Sequence, residues 1–271
     1  MKKKLLALIL TGTMVMSLAG CGSSSNSPSV DSEAAIESDV AYIQGKGTLL
    51  VGITDFAPMD YKDENGNWIG FDADMATKVA ESLGVTVEFV EIDWDNKILE
   101  LENKSIDVVW NGMTLTSEVT SSMECTNAYL NNAQVVVVPA ASADAYSTLE
   151  AVQSLSFAVE AGSAGETAAI ENNFDFISLA SQADAVMEVE AGTSSACIID
   201  LLMAGAMVGE GTSYADLAHT VELTTEEYGI GCRKGSDLAA YINEQLKALY
   251  DDGTMLEIAE QYGVQDAIIE Q

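Results

Sequence analysis

Three short stretches of the chain carry the kinds of polar group that hold a small solute. The first is Ile106–Thr116, IDVVWNGMTLT, where an apolar run from Ile106 to Trp110 gives way to Asn111, Gly112, Thr114 and Thr116. An apolar run bounded by charge predicts a buried strand. A strand that ends in an amide, a glycine and hydroxyls presents donors and acceptors on a rigid support. The same residues also fit a plain strand followed by an Asn-Gly turn. The second stretch is Ala161-Gly162-Ser163-Ala164-Gly165, which leads from a strand, Leu155–Glu160, into a helix beginning near Glu166. Free N–H groups at such a helix start can bind an anion, although turns of this kind commonly just connect. The third is Asp200, which closes a short strand, Ala196–Ile199. In a parallel sheet the carboxyl end of a strand is where ligands bind.

What the chain lacks narrows the chemistry further. Its 271 residues include one histidine, His219, one arginine, Arg233, and four cysteines at 21, 125, 197 and 232. No HExxH, paired-cysteine or G-x-x-x-x-G-K-[ST] motif occurs, so zincin, zinc-finger and P-loop chemistry have no support. No metal or cofactor is expected. Cys125, Cys197 and Cys232 stand among apolar residues and read as small hydrophobes. The formal net charge is −32. The first twenty residues hold three lysines and no acid, and without them 8 basic residues face 43 acidic ones, a net −35. Such a chain is not expected to bind nucleic acid, because phosphate contacts need Lys and Arg. Its field favours cationic solutes over anionic ones. At 48% apolar and 20% charged it reads as globular, with one or two domains.

The N-terminus gives the address. Lys2, Lys3 and Lys4 precede an apolar run from Leu5 to Leu18, a basic region and a core too short to span a bilayer comfortably. The segment 1–20 is therefore expected to be a signal peptide. Its last residues and the next, Leu18-Ala19-Gly20-Cys21, resemble the bacterial lipoprotein cleavage box, which implies lipid on Cys21 and a membrane anchor. The stretch that follows, to residue 45, opens GSSSNSPSVDSEAAIESD and reads as a flexible tether. No other stretch is long and apolar enough to span a bilayer, so the remainder is expected to be an exported, extracytoplasmic body.

The elements of that body must position the three stretches. Thr48–Thr54 reads as a strand. Asp63–Asn67 is a hairpin turn centred on Asn65-Gly66. Asp72 opens a helix with Met75, Val79, Ala80 and Leu83 on one face, and Gly84 ends it. Val85–Glu91 alternates as a strand, and a helix near Asp95–Asn103 precedes the Ile106 strand. Gln134–Pro139, with four valines, is another strand. Helices are expected over Gln182–Glu190, Leu201–Val208, Ser236–Tyr250 and Thr254–Tyr262, with a late strand at Tyr228–Cys232. This order is β-α-β-α-β followed by a second α/β unit, which predicts largely parallel sheets.

Taken together, VGITDFAPMDYKDENGNWIGFDADMATKVAESLG, IDWD, WNGMTLT, AYLNNAQVVVV, VEAGSAGE, ACIID, YGIGCRKGSD and DGTMLEIAEQYG, in this order, resemble the extracytoplasmic solute-binding proteins of amino-acid ABC transporters, family 3. The resemblance covers essentially 46–263. It implies a type II periplasmic-binding-protein-like fold of two α/β lobes joined by a two-strand hinge. Lobe 1 would be 46–133 with the return 224–271, and lobe 2 would be 134–223. It also implies a monomer that closes over a solute, most simply an amino acid, and delivers it to an ABC permease. Carried over by position, Phe56 covers the ligand and Trp94 lines the pocket. Asn111, Gly112 and Thr114 supply lobe-1 contacts, Glu160, Gly162 and Ser163 the lobe-2 loop, and Asp200 takes the α-ammonium group. Asp55 is included beside Phe56, although that loop is shorter here than in many relatives.

One departure stands out. The family pattern places after GMTLT an arginine that forks onto the ligand's α-carboxylate. Here that position is Val119, and Arg233 matches a site distant from the cleft. The expected pocket thus holds Glu160, Asp200 and Asp55 and no cation, which is costly unless a cation enters. The carboxylate of an amino acid could be held by N–H groups of the 111–116 and 162–165 loops. The ligand could instead be a cationic amine or a basic amino acid. A shift of one turn near Val119 would bring in a different donor. The same fold also serves cyclohexadienyl-type dehydratases and sensory lobes, but the first needs an acid/base group and a carboxylate-binding cation, and no signalling segment follows the body.

Overall fold

Alternating β-branched runs and amphipathic helices build two sheets in the computed structural model, which describes residues 38–271. The expected signal peptide, Cys21 and the tether up to residue 37 lie outside the described residues. The chain begins with helix α1, Asp39–Lys46, followed by strands β1, Thr48–Ile53, β2, Tyr61–Lys62, and β3, Trp68–Ile69. Helix α2, Phe71–Leu83, strand β4, Thr86–Glu91, helix α3, Lys97–Glu102, and strand β5, Val108–Thr114, come next. Helix α4, Ser117–Ser122, precedes strands β6, Glu124–Cys125, β7, Leu130–Asn132, and β8, Gln134–Pro139. Helix α5, Leu149–Val152, strand β9, Ser156–Glu160, helix α6, Ala164–Glu171, strand β10, Asp175–Leu179, and helix α7, Gln182–Glu190, follow. Strand β11, Ala196–Asp200, helix α8, Leu201–Met207, strands β12, Leu217–Glu222, and β13, Glu226–Cys232, and helices α9, Leu238–Asp251, and α10, Thr254–Tyr262, complete it.

The first sheet has the order β4-β1-β5-β13-β6, with β7 also on β13, and the second the order β10-β9-β11-β8-β12. The chain crosses between them twice, at Ala133 between β7 and β8 and at 223–225 between β12 and β13. The fold is thus the expected type II two-lobed α/β arrangement. Its sheets are mixed rather than largely parallel. β1 runs parallel to β4 and β5, and β9 to β10 and β11, but the crossover strands β13 and β8 run antiparallel to their neighbours. A strand that enters a sheet from the other lobe is not bound by the right-handed crossover rule that makes β-α-β units parallel.

Three local expectations are corrected. Asn111-Gly112 is no turn, because β5 continues to Thr114. The pairing with β13 shifts register between Gly229 and Gly231, so the Asn-Gly pair sits in a bulge, a device that re-aims side chains beside sites. Gly112 has φ +54, and a Cβ there would meet Phe56 Cε1 at 2.5 Å. Asp72 does not cap α2. The helix starts from Gly70 without a side-chain cap, and Asp72 is fully buried. The segment expected to be tether up to residue 45 is helical from Asp39.

That last helix is fixed by charge. Arg233 donates to both carboxylate oxygens of Asp39 at 2.9–3.2 Å, to Ile106 O at 2.8 Å and to Asp107 Oδ1 at 3.3 Å. Asp107, fully buried, also accepts from Lys46 Nζ at 2.5 Å and from Leu50 N at 2.8 Å. The Arg233 guanidinium holds the Asp39 carboxyl below its usual value, against the opposing effect of burial. The methionines Met75, Met113, Met123 and Met203 are buried, whereas Met187 is exposed. Among the described residues the three cysteines are free, and His219 lies on the surface of β12.

Candidate functional site

The carboxyl ends of β5, β9 and β11 face one another across the crossovers and enclose a cavity of about 40 Å³. Phe56, Trp94, Asn111, Gly112, Thr114, Glu160, Gly162, Ser163 and Asp200 all line it. Asp55 does not. It is exposed and faces a separate groove with Tyr61, Lys62, Met207 and Tyr262. The two walls of this cleft meet where Lys97 Nζ donates to Gly162 O at 2.8 Å.

Several lining residues serve the scaffold with their side chains. Asn111 Oδ1 accepts from Thr54 N at 2.9 Å and Thr54 Oγ1 at 2.8 Å, while Nδ2 donates to Thr54 O at 3.2 Å and Asp60 Oδ2 at 2.8 Å. That exhausts the capacity of an amide. The Gly112 N–H donates to Asp72 Oδ2 at 2.6 Å, and Tyr129 Oη donates to Asp72 at 2.8 Å. Burial pushes the Asp72 carboxyl up to about 7, and burial and the neighbouring Asp72 push Asp60 well up. Ser163 caps α6 by accepting from Glu166 N at 3.1 Å. Phe56 stands edge-on to Tyr228 with ring centroids 6.5 Å apart.

The two lobe-2 carboxylates differ. Asp200 is enclosed by donors. Gln134 Nε2 donates to Oδ1 at 2.9 Å, Tyr228 Oη donates to Oδ1 at 2.7 Å, Asn132 Nδ2 also donates to Oδ1, and Gln182 Nε2 donates to Oδ2. Asn132 and Gln134 share their amides with Glu226 Oε1, at 2.6 and 2.8 Å, and Thr114 Oγ1 donates to the same oxygen at 3.0 Å. Burial, with the charge of Glu226, pushes the Asp200 carboxyl well above its usual range. Glu160 is 3% exposed, and its Oε1 has no partner. Burial and the charge of Asp200 push its carboxyl up to about 8. A buried, unpartnered carboxylate oxygen costs stability unless something is bound there.

Sequence reasoning missed Lys97, the first residue of α3. It lines the cavity and is 7% exposed. Its Nζ donates to Trp94 O at 3.1 Å and, across the cleft, to Gly162 O at 2.8 Å, and lies 4.8 Å from the Trp94 ring centroid. The expected absence of a cation from the pocket is thus corrected. Burial lowers the Lys97 pKa, while Glu160, Glu118, Asp95 and Glu166 oppose that shift. Gly162 has φ +69, and a Cβ there would meet Asp95 Cα at 2.8 Å, so the bare backbone is what lets the lobes approach. Also missed were the pair Asn132 and Gln134, with Gln182 and Glu226, three segments far apart in sequence that meet around Asp200.

The raised carboxyls have a consequence for stability. A group whose pKa is higher folded than unfolded keeps extra protons in the native state, so its contribution is full at low pH and is lost as pH rises through the folded value. For Glu160 that window runs from 4.5 to about 8, and Asp72, raised to about 7, acts in the same sense. The melting temperature of the unliganded protein is expected to fall by about 5–10 °C between pH 5 and pH 8.5. Glu160→Gln should remove part of that slope in scanning calorimetry, and an unchanged slope would show that Glu160 ionises normally.

A family model for bacterial extracellular solute-binding proteins, family 3, matches residues 49–265. The chain is 28% identical over 269 residues to the arginine-binding extracellular protein ArtP of Bacillus subtilis, covering 96% of this chain and 98% of that one. It is similar to holo ArgBP from T. maritima, with a TM-score of 0.73 and 32% identity over 82% of this chain and 99% of that one. It is also similar to a histidine-bound ABC uptake transporter substrate-binding protein from Streptococcus pneumoniae, with a TM-score of 0.79 and 28% identity over 86% and 99%.

Proposed function

The chain belongs to the bacterial extracellular solute-binding proteins, family 3, and from that premise we propose that it captures an amino acid between its lobes and delivers it to the permease of an ABC transporter. The ligand's ammonium group sits against Asp200 and Glu160. The observation that carries this is the orphaned Glu160 oxygen, buried beside Asp200 on the wall of the interlobe cavity. A cation placed there satisfies the lone oxygen, offsets the repulsion between the two carboxylates and favours their ionised forms. The named ligands of the similar proteins, arginine and histidine, both carry an α-ammonium group, and arginine adds a second cation. Among the described residues no helix is long and apolar enough to cross a membrane. The protein acts outside the membrane as a monomer, held there by lipid on Cys21.

The test is a thermal-shift panel of amino acids, polyamines and quaternary amines at pH 8. Arginine, lysine or histidine is expected to raise the melting temperature more than glutamate or aspartate does. A ligand at a hundredfold its Kd contributes about 2.7 kcal/mol, or roughly 5–10 °C for a body of this size. Larger stabilisation by glutamate would overturn the assignment of an acidic site. Turnover of prephenate or arogenate by the purified protein would replace the binder with an enzyme.

A further inference from the structure

We propose that Lys97 is the carboxylate-binding group of this cleft, so that the ligand is an α-amino acid whose carboxylate pairs with lobe 1 while its ammonium group pairs with lobe 2. The proposal rests on the amino-acid reading above and deepens it. Among the described residues that line the cavity, Lys97 alone carries positive charge. Arg233 is committed to Asp39, Asp107 and Ile106 O. Position 119, on the same cavity wall, offers only a buried valine.

The amide groups that could replace a cation are mostly occupied. The Gly112 N–H is given to Asp72, the Gly162 N–H to Glu166 Oε2 at 2.8 Å, the Ser163 N–H to Glu160 O at 3.3 Å, and the Thr116 N–H to Thr114 O at 2.9 Å. A carboxylate entering the site would have to displace a protein acceptor from each. Lys97 is different. An ammonium has three donors, and two are used, both on neutral carbonyls. A charged acceptor makes a stronger bond to an ammonium than a carbonyl does. Exchanging Gly162 O for a ligand carboxylate therefore favours the ligand. The exchange is local, because Val119 packs in the apolar cluster with Trp94, Lys97 Nζ lies 4.8 Å from the Trp94 ring, and both residues line the cavity. The ammonium thus reaches, from α3, the cavity wall that a side chain at position 119 on α4 would reach. The charges are then laid out for a zwitterion, with Lys97 on one wall and Glu160 and Asp200 on the other.

The experiment compares each amino acid with its decarboxylated amine by titration calorimetry. The pairs are L-arginine with agmatine, L-lysine with cadaverine, and L-histidine with histamine, and L-leucine with 3-methylbutylamine extends the series to neutral side chains. Wild-type protein is expected to prefer the amino acid of its best pair by roughly 10- to 100-fold, the range of a hydrogen bond to a charged group. Lys97→Met should remove most of that preference by weakening the amino acid and not the amine, and Lys97→Arg should keep it. An amine that binds wild-type protein as tightly as its amino acid overturns the proposal whether or not the variants fold. So does a Lys97→Met protein, folded by its melting curve, that retains the full preference. In that second case the amino-acid reading survives. If no amino acid in the series binds wild-type protein, both fall.

Discussion

Replacing Asp200 by asparagine is expected to weaken amino-acid binding by about 100-fold or more without lowering the melting temperature of the unliganded protein at pH 8. The two halves of that result have one cause. Asp200 is 3% exposed and faces Glu226 through the shared amides of Asn132 and Gln134. Burial and that second charge make its ionised form costly. Asparagine keeps the shape and one accepting oxygen for these donors but removes the charge, so the empty site loses a source of repulsion. The ligand's ammonium loses its buried counter-ion, a deletion that typically costs 2–5 kcal/mol at desolvated charge pairs. Calorimetric titration and melting curves of the same preparation read both numbers. Undiminished affinity would remove Asp200 from the site. A large fall in melting temperature with no ligand would make it a scaffold residue. Gain of stability at the expense of binding is the usual signature of a functional charge.

Arg233→Ala should give the opposite pattern. The Arg233 side chain is 11% exposed and bridges Asp39, Asp107 and a backbone carbonyl. Removing one partner of a buried pair leaves the others charged and unmatched, at a cost of about 3–5 kcal/mol, so the melting temperature should fall by roughly 6–20 °C. Lys46 still faces Asp107 at 2.5 Å and sets an upper limit to the loss. Helix α1 should loosen with it, since Asp39 is a principal tie to the body, and amide exchange over residues 39–46 should quicken. Ligand affinity should stay within about threefold of wild type, because none of these groups lines the cavity. A stable variant with protected α1 amides would show that Ile43 packing, the Lys46–Asp107 pair and the Asp237 contacts hold the helix without Arg233.

These residues also show where sequence is readable. α7 and α10 were expected at their observed limits because their apolar faces and flanking polar residues agree. Gly84 ends α2 in the left-handed conformation, φ 74, as a glycine after an apolar face predicts. Asp200 is legible as an acid closing an apolar strand and Glu160 through the family resemblance, and they close β11 and β9. α1 was hidden because its polar composition matches a linker, and its stabilising partner lies 194 positions away. Asp72 looked like a cap because acids favour helix starts. Its actual partners, Gly112 N and Tyr129 Oη, come from other elements. Lys97 was masked by habit of composition, since lysine is almost never buried unless paired. Its burial depends on Gly162 O, which belongs to the other lobe.

The shared amides of Asn132 and Gln134 flank Ala133, where the chain first crosses between lobes. Neighbouring strands are about 4.8 Å apart, so Gly162, beyond β9, stands two strand spacings from β8, and Lys97, beyond β4, three from β13. Motion about the crossovers behaves like a pair of shears. The carboxylates at the pivot scarcely change their separation as the blades open, while Lys97 and Gly162, out along the blades, travel furthest. On the proposed reading an amino acid docks its ammonium end while the cleft is still ajar, and Lys97, out along its blade, is the last group to reach the ligand and the first to leave it.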